Sequence, residues 1–177
     1  MMAVMGGEPF DEFERWFTAT GWNHDDERVR AWFRAFFGRW GPVSADVVEV
    51  GWQLDQLAST GRAVDVVLAD LYRSSPKRPI VVVDVDEWGS VRVTVDGSYT
   101  TPSVYAAPSD AAEVLREVAE YLQDQVLDNH GPVWPTCGRH EFGLHAELVD
   151  GRAVWRCRHG DHSVAEIGEL PVDPRST

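Results

Sequence analysis

A chain of 177 residues with 44% hydrophobic and 11% aromatic content, eight tryptophans among them, can bury a core, which excludes a wholly disordered polymer. Its formal net charge of −13 counts against broad binding to phosphate backbones or anionic membrane surfaces, because both attract cations. Two cysteines are too few for a secreted disulfide scaffold, and no apolar run, "PIVVV" included, approaches the ~20 residues of a membrane span. The opening "MMAVMGGEPFDEF" has no basic n-region and no sustained apolar stretch, so a cytoplasmic protein is expected. Fifteen of the sixteen basic residues are arginine, a bias in keeping with a GC-rich bacterial genome.

The first third predicts helices. "EPFDEFERWFTATG" sets Phe10, Phe13, Trp16 and Phe17 at helical spacing and stops at Gly21. "NHDDERVRAWFRAFFGRWG" opens with an acidic turn, Asp25 to Glu27, suited to the positive end of a helix dipole. Val29, Trp32, Phe33, Phe36, Phe37 and Trp40 make its apolar stripe, with Arg30 and Arg34 expected on the opposite face. Aromatics in this number are read as packing between two helices, and any left exposed would be a contact surface. After "GPVS", Ser44 is a candidate cap for a further helix with Val47, Val50, Leu54, Leu57 and Ala58 on one side. "GRAVDVVLADLYR" fits a helix through Val64, Val67, Leu68, Leu71 and Tyr72, yet Val64, Val66 and Leu68 also alternate as in a strand. Helix is the favoured reading of residues 62–73, and "RSSPKRP" is a loop by composition.

"IVVVDVDEWGSVRVTVDGS" predicts a β-hairpin, two β-branched runs joined through Glu87 to Ser90. Asp84 and Asp86 are two apart and share a face in a strand. Together with Glu87 they are the basis for one alternative, a metal-dependent enzyme. No nearby lysine, second acidic cluster or Gly-rich phosphate loop accompanies them, and a strand end turning to solvent explains the pair more simply. "SDAAEVLREVAEYLQDQVLDNHGP" then predicts a long helix opened by Asp110 and Glu113 at capping-box spacing. Its inner stripe is Ala111, Leu115, Val118, Leu122 and Val126, its outer face Glu113, Arg116, Glu117, Glu120 and Asp124, and Gly131-Pro132 end it.

The expected fold is therefore α+β: an acidic body over 1–130 and a small C-terminal unit over 131–177, with disordered termini. Residues 1–129 carry 22 acidic against 11 basic side chains, while 130–177 carry 7 against 5. The tail, from Cys137 to His162, holds both cysteines and four of the six histidines. "GLHAELV" and "RAVWRC" flank Asp150-Gly151, a strong two-residue hairpin turn, and "SVAEIGEL" can supply a third strand. Counting back from that turn pairs Val149 with Arg152, Ala146 with Trp155 and Leu144 with Cys157. Leu144, Ala146, Leu148, Ala153, Trp155 and Cys157 then share an apolar face, and His145 falls on the other.

Thiolate and neutral imidazole suit zinc, and four such ligands close a tetrahedral structural site. A unit of about 40 residues buries little surface and commonly leans on a metal or a neighbouring domain. The segment "WPTCGRH … GRAVWRC … VAEIGEL" resembles a degenerate zinc ribbon, as in tails of small actinobacterial proteins of unassigned activity. That resemblance covers about residues 134–170 and implies ligands from two turns at one end of a hairpin. Cys137 and His140 would come from the first turn and Cys157 from the second, with the fourth place open between His159 and His162. The usual ribbon carries C-x2-C at each turn, so a metal-free ribbon held by packing and a buried inert Cys157 stay open as alternatives. No deaminase or H-E-x2-H protease pattern is present. The leading expectation is a non-catalytic protein acting through protein contacts, without membrane or nucleic-acid partners. A second is an acidic partner of a basic protein, of the immunity or antitoxin kind.

Overall fold

The computed structural model describes residues 9–22 (side chains from 12), 25–99, 104 and 106–172. Phe10's side chain and the chain termini read above as disordered lie outside these. Helices, a two-stranded sheet and a three-stranded antiparallel sheet make the fold α+β.

The helices are α1 (Pro9–Ala19), α2 (Glu27–Trp40), α3 (Ala45–Ser74) and α4 (Ala111–His130). Asp26 caps α2 through its side chain, which accepts from the Arg28 amide at 2.8 Å. Phe13, Trp16 and Phe17 of α1 interlock with Phe33 and Phe37 of α2, as in the Phe17–Phe33 edge contact at 4.8 Å. Val48 and Trp52 of α3 complete this aromatic cluster. Arg30 and Arg34 are not opposite it, contrary to the expectation from spacing. Arg30 pairs with Glu14 at 2.6 Å and lies over the Phe17 ring at 5.0 Å, while Arg34 lies over Phe13 at 5.8 Å. Long guanidinium side chains at the border of an apolar stripe cover aromatic faces while keeping their charge in water.

α3 is one helix of 30 residues, so the two segments read separately from sequence are continuous and residues 62–73 are helical. Ser44 occupies the cap position without a side-chain hydrogen bond. The stripe expected to pack, Val47, Val50 and Leu54, is exposed. The face that packs is Val48, Gln56, Ala63, Val64, Val67 and Leu71, which continues into the second half of the helix.

β1 (Val81–Val85) and β2 (Val91–Val95) form the expected hairpin, with Asp84 opposite Arg92. Asp84 takes two hydrogen bonds from that guanidinium, at 2.9 and 2.8 Å, and Asp86 accepts from the Trp88 and Ser90 amides at 2.9 Å each. Both carboxylates are thus engaged in holding the hairpin. The Arg92 hydrogen bonds keep the Asp84 carboxyl below its ordinary range, against the opposing effect of desolvation. A depressed carboxyl stabilises the fold above its unfolded pKa, and that share is lost as pH falls through the folded value. Because Asp84 is 41% exposed, Asp84→Asn is expected to cost less than about 1 kcal/mol at pH 7. The cost should shrink as pH falls through the folded value, which urea melts across the acid range will read.

Asp110 caps α4, accepting from the Glu113 amide at 3.1 Å. The buried residues of α4 are Val114, Val118, Ala119, Tyr121, Leu122, Gln125 and Val126, a wider band than the stripe expected. Ala111 is exposed and Leu115 only half-buried. The shift arises because α4 is packed against α3 and β2 and also against the C-terminal sheet, so two faces are covered. Tyr121 donates to the Val93 carbonyl at 2.8 Å and Gln123 to the Leu144 carbonyl at 2.6 Å.

Candidate metal centre

The C-terminal sheet has the order β3-β4-β5, from β3 (His145–Val149), β4 (Arg152–Cys157) and β5 (His162–Glu166). Asp150 and Gly151 both take positive φ, 51° and 74°, which is the two-residue turn whose twist suits a hairpin. The register pairs Val149 with Arg152, Ala146 with Trp155 and His145 with Arg156, as counted from the sequence. Ala146, Ala153, Trp155 and Cys157 are buried, as is Leu144 just before β3, while Leu148, near the turn, is exposed.

This apolar face is not a separate core. Cys137, Leu144, Trp155 and Cys157 belong to the same buried cluster as Val64, Val67 and Leu71 of α3 and Val118 and Leu122 of α4. Asp70 of α3, fully buried, ties the layers together. One of its oxygens accepts from Trp155 Nε1 at 2.8 Å and the Gly168 amide at 2.7 Å. The other accepts from the Leu170 amide at 2.8 Å.

Two turns at one end of the sheet bring four side chains together. In the first, Cys137 N donates to the Phe142 carbonyl and Glu141 N to the Cys137 carbonyl, both at 2.8 Å. Thr136 and Gly143 bridge below it, and the knuckle sets Cys137 Sγ 3.7 Å from His140 Nδ1. In the second, β4 ends at Cys157 and the chain reverses to His162. The β4–β5 register slips by one between Trp155 and Arg156, so that Cys157 faces His162 directly. Carried on without the slip, the Trp155–Ala165 register would set Ser163 there instead. A bulge re-aims one strand in this way.

The ligand atoms of Cys137, His140, Cys157 and His162 all lie within 4.8 Å of one another, and this group could hold a metal ion. Both thiols are free and buried. His140 Nδ1 is 3.3 Å from Cys157 Sγ, and His162 Nε2 is 3.8 Å from Cys137 Sγ. His162 Nδ1 is 3.2 Å from the Gly160 carbonyl, a bond that places the proton there and leaves Nε2 to face the thiols. Desolvation, then the neighbouring His159, His162 and Arg139, hold the His140 imidazole below its usual pKa, which leaves it neutral near pH 7. Burial raises the Cys137 thiol, but the amides of Arg139 and His140 and hydrogen bonds from Cys157 and His162 bring it below the ordinary thiol value. A neutral imidazole at His140 and a thiol at Cys137 that ionises more readily are in the direction a metal requires.

His159, the alternative fourth ligand, lies outside the group and stacks on Phe142 at 4.4 Å between ring centres. His145 pairs opposite Arg156 and is also outside. Gly160 is a site residue that spacing alone did not single out. A Cβ at that position would lie 2.1 Å from His140 Cε1 and 2.8 Å from His162 Nδ1, so the two imidazoles close over bare backbone. Among the described residues no other group of three or more such side chains comes together, Asp84, Asp86 and Glu87 included.

Comparison with protein-family models, curated proteins and solved structures found no match to this chain. Among the described residues no helix is long and apolar enough to cross a membrane.

Proposed function

We propose that this chain is a non-catalytic protein that acts through protein contacts, and that its C-terminal unit is a zinc-ribbon-like module closed by one structural zinc ion. The observation that carries the metal reading is the convergence of two thiols and two imidazoles within 4.8 Å. Bonds of about 2.3 Å to sulfur and about 2.0–2.1 Å to nitrogen give a tetrahedron with S···N edges of about 3.5 Å. The separations of 3.7, 3.8 and 3.3 Å fit that figure. Four protein ligands fill all four positions, the arrangement of structural zinc; a catalytic ion keeps one position for water. Mixed sulfur and imidazole donors favour zinc over magnesium or calcium, which take oxygen. The contact reading is supported by Trp40 and the Val47–Leu54 stripe, large apolar side chains left open on the N-terminal helices.

The test is elemental analysis of protein purified without a histidine tag. About one zinc per chain is expected in the parent. Cys157→Ser and His162→Ala are expected to lower it well below one. A metal-free parent that keeps its circular dichroism spectrum would sink the zinc reading.

A further inference from the structure

α2 and α3 form an antiparallel helical hairpin. Trp32 Nε1 donates to Asp55 at 2.9 Å, and Phe36 meets Gly51, where a Cβ would lie 2.4 Å from the ring. Along this seam runs a groove of about 500 Å³, floored by Phe36 and Gly51 and walled by Trp40, Val47, Val50 and Leu54. Trp40 is 59% exposed and Leu54 61%. Val47, Val50 and Leu54 are spaced i, i+3 and i+7, the pattern by which one helix meets another. α3 therefore carries two apolar faces in its first half, one packed on α1 and α2 and one open.

The charges at the two ends of the groove decide what fits it. Arg39 borders it at the end where the chain reverses, its guanidinium 5.0 Å over the Trp40 ring. Asp55 borders it at the far end, beside Trp32. An apolar strip with a cation at one end and an anion at the other is complementary to itself once a copy is turned end for end, as a two-fold interface requires. We propose that the groove is the docking site of a second copy of this chain. Two α2–α3 hairpins pack antiparallel about a two-fold axis near Val50, as a four-helix layer, with each Arg39 facing Asp55 of the second copy. The inference rests on the protein-contact half of the reading above and names its partner; it does not depend on the metal. Since each chain carries −13, apolar contact holds the pair, and added salt tightens it by screening the repulsion.

Sedimentation equilibrium of the full chain over about 1–100 µM tests this, with zinc content and circular dichroism read on the same samples. The mass of two chains is expected, with association weakened at least about tenfold by Leu54→Asp and by Trp40→Ala. Arg39→Asp, which makes the facing ends like-charged, should weaken it as well. Both apolar positions are exposed, so the variants should keep the parent spectrum and zinc content. A single-chain mass for the parent throughout that range, or a two-chain mass that survives Leu54→Asp, overturns the proposal. Because zinc is read separately, loss of the pairing and failure of the metal reading are different results.

Discussion

Asp70→Ala is expected to lower the free energy of unfolding by about 3–5 kcal/mol, although alanine creates only a small cavity. The carboxylate lies in the C-terminal half of α3 with no exposure to solvent. It is the acceptor for three groups of the C-terminal unit: the Trp155 indole and the amides of Gly168 and Leu170. Arg73 adds a fourth donor at 3.2 Å and also reaches the Gly168 and Leu170 carbonyls at 3.0 Å each. Alanine would leave the Trp155 indole and the Leu170 and Gly168 amides without their acceptor, and each buried donor without an acceptor costs about 1–3 kcal/mol. Asn is not a remedy, because its amide NH2 would face one of the donors now met by an oxygen. Trp155→Phe removes one donor and keeps the acceptor, so its cost through this network should be smaller. Urea unfolding followed by tryptophan fluorescence reads all three. A loss under about 1.5 kcal/mol for Asp70→Ala would show that water or rearrangement supplies the missing acceptors.

Asp70 also marks a limit of reading the sequence alone. In "VVLADLYR" it is one more acid on an acidic chain, and nothing local says that a strand about 85 residues later will bury it. Features set by short-range geometry were legible. The Asp150-Gly151 turn fixed the β3–β4 register, and that register placed Cys157 on the buried face and His145 on the other. The α+β class, the β1–β2 hairpin and the long α4 were legible from period and turn residues in the same way. Features decided by what packs on what were not. A stripe of valines and leucines shows that α3 has an apolar side without showing which side is covered, and Val47, Val50 and Leu54 are exposed. The α4 stripe came out too narrow because the sequence does not show that a second layer covers it. The choice between His159 and His162 turned on a one-residue slip beside Trp155, and no turn residue announces it.

On the zinc reading proposed above, removing the ion is expected to lower the thermal midpoint by about 10 °C or more, and the damage should reach well beyond the sheet. Cys137 and Cys157 lie inside the cluster that α3, β2 and α4 share with the C-terminal unit. Without the ion, two thiols and two imidazoles would be left crowded at the edge of an apolar core, which costs desolvation energy with no ligand bonds to offset it. The sheet then loses its hold at the turn end, and the strain passes through Trp155 to Asp70. The aromatic cluster of α1, α2 and the start of α3 is a distinct set of buried residues, so it should persist. Hydrogen exchange on chelator-treated protein can separate the two regions. Protection should fall across 145–170, the second half of α3 and the buried face of α4, while α2 and the first turns of α3 change little. Readdition of zinc should restore it, and magnesium should not. Uniform loss across the chain would mean that the two clusters unfold as one. Unchanged protection in a protein shown to be metal-free would mean that packing alone holds the ribbon.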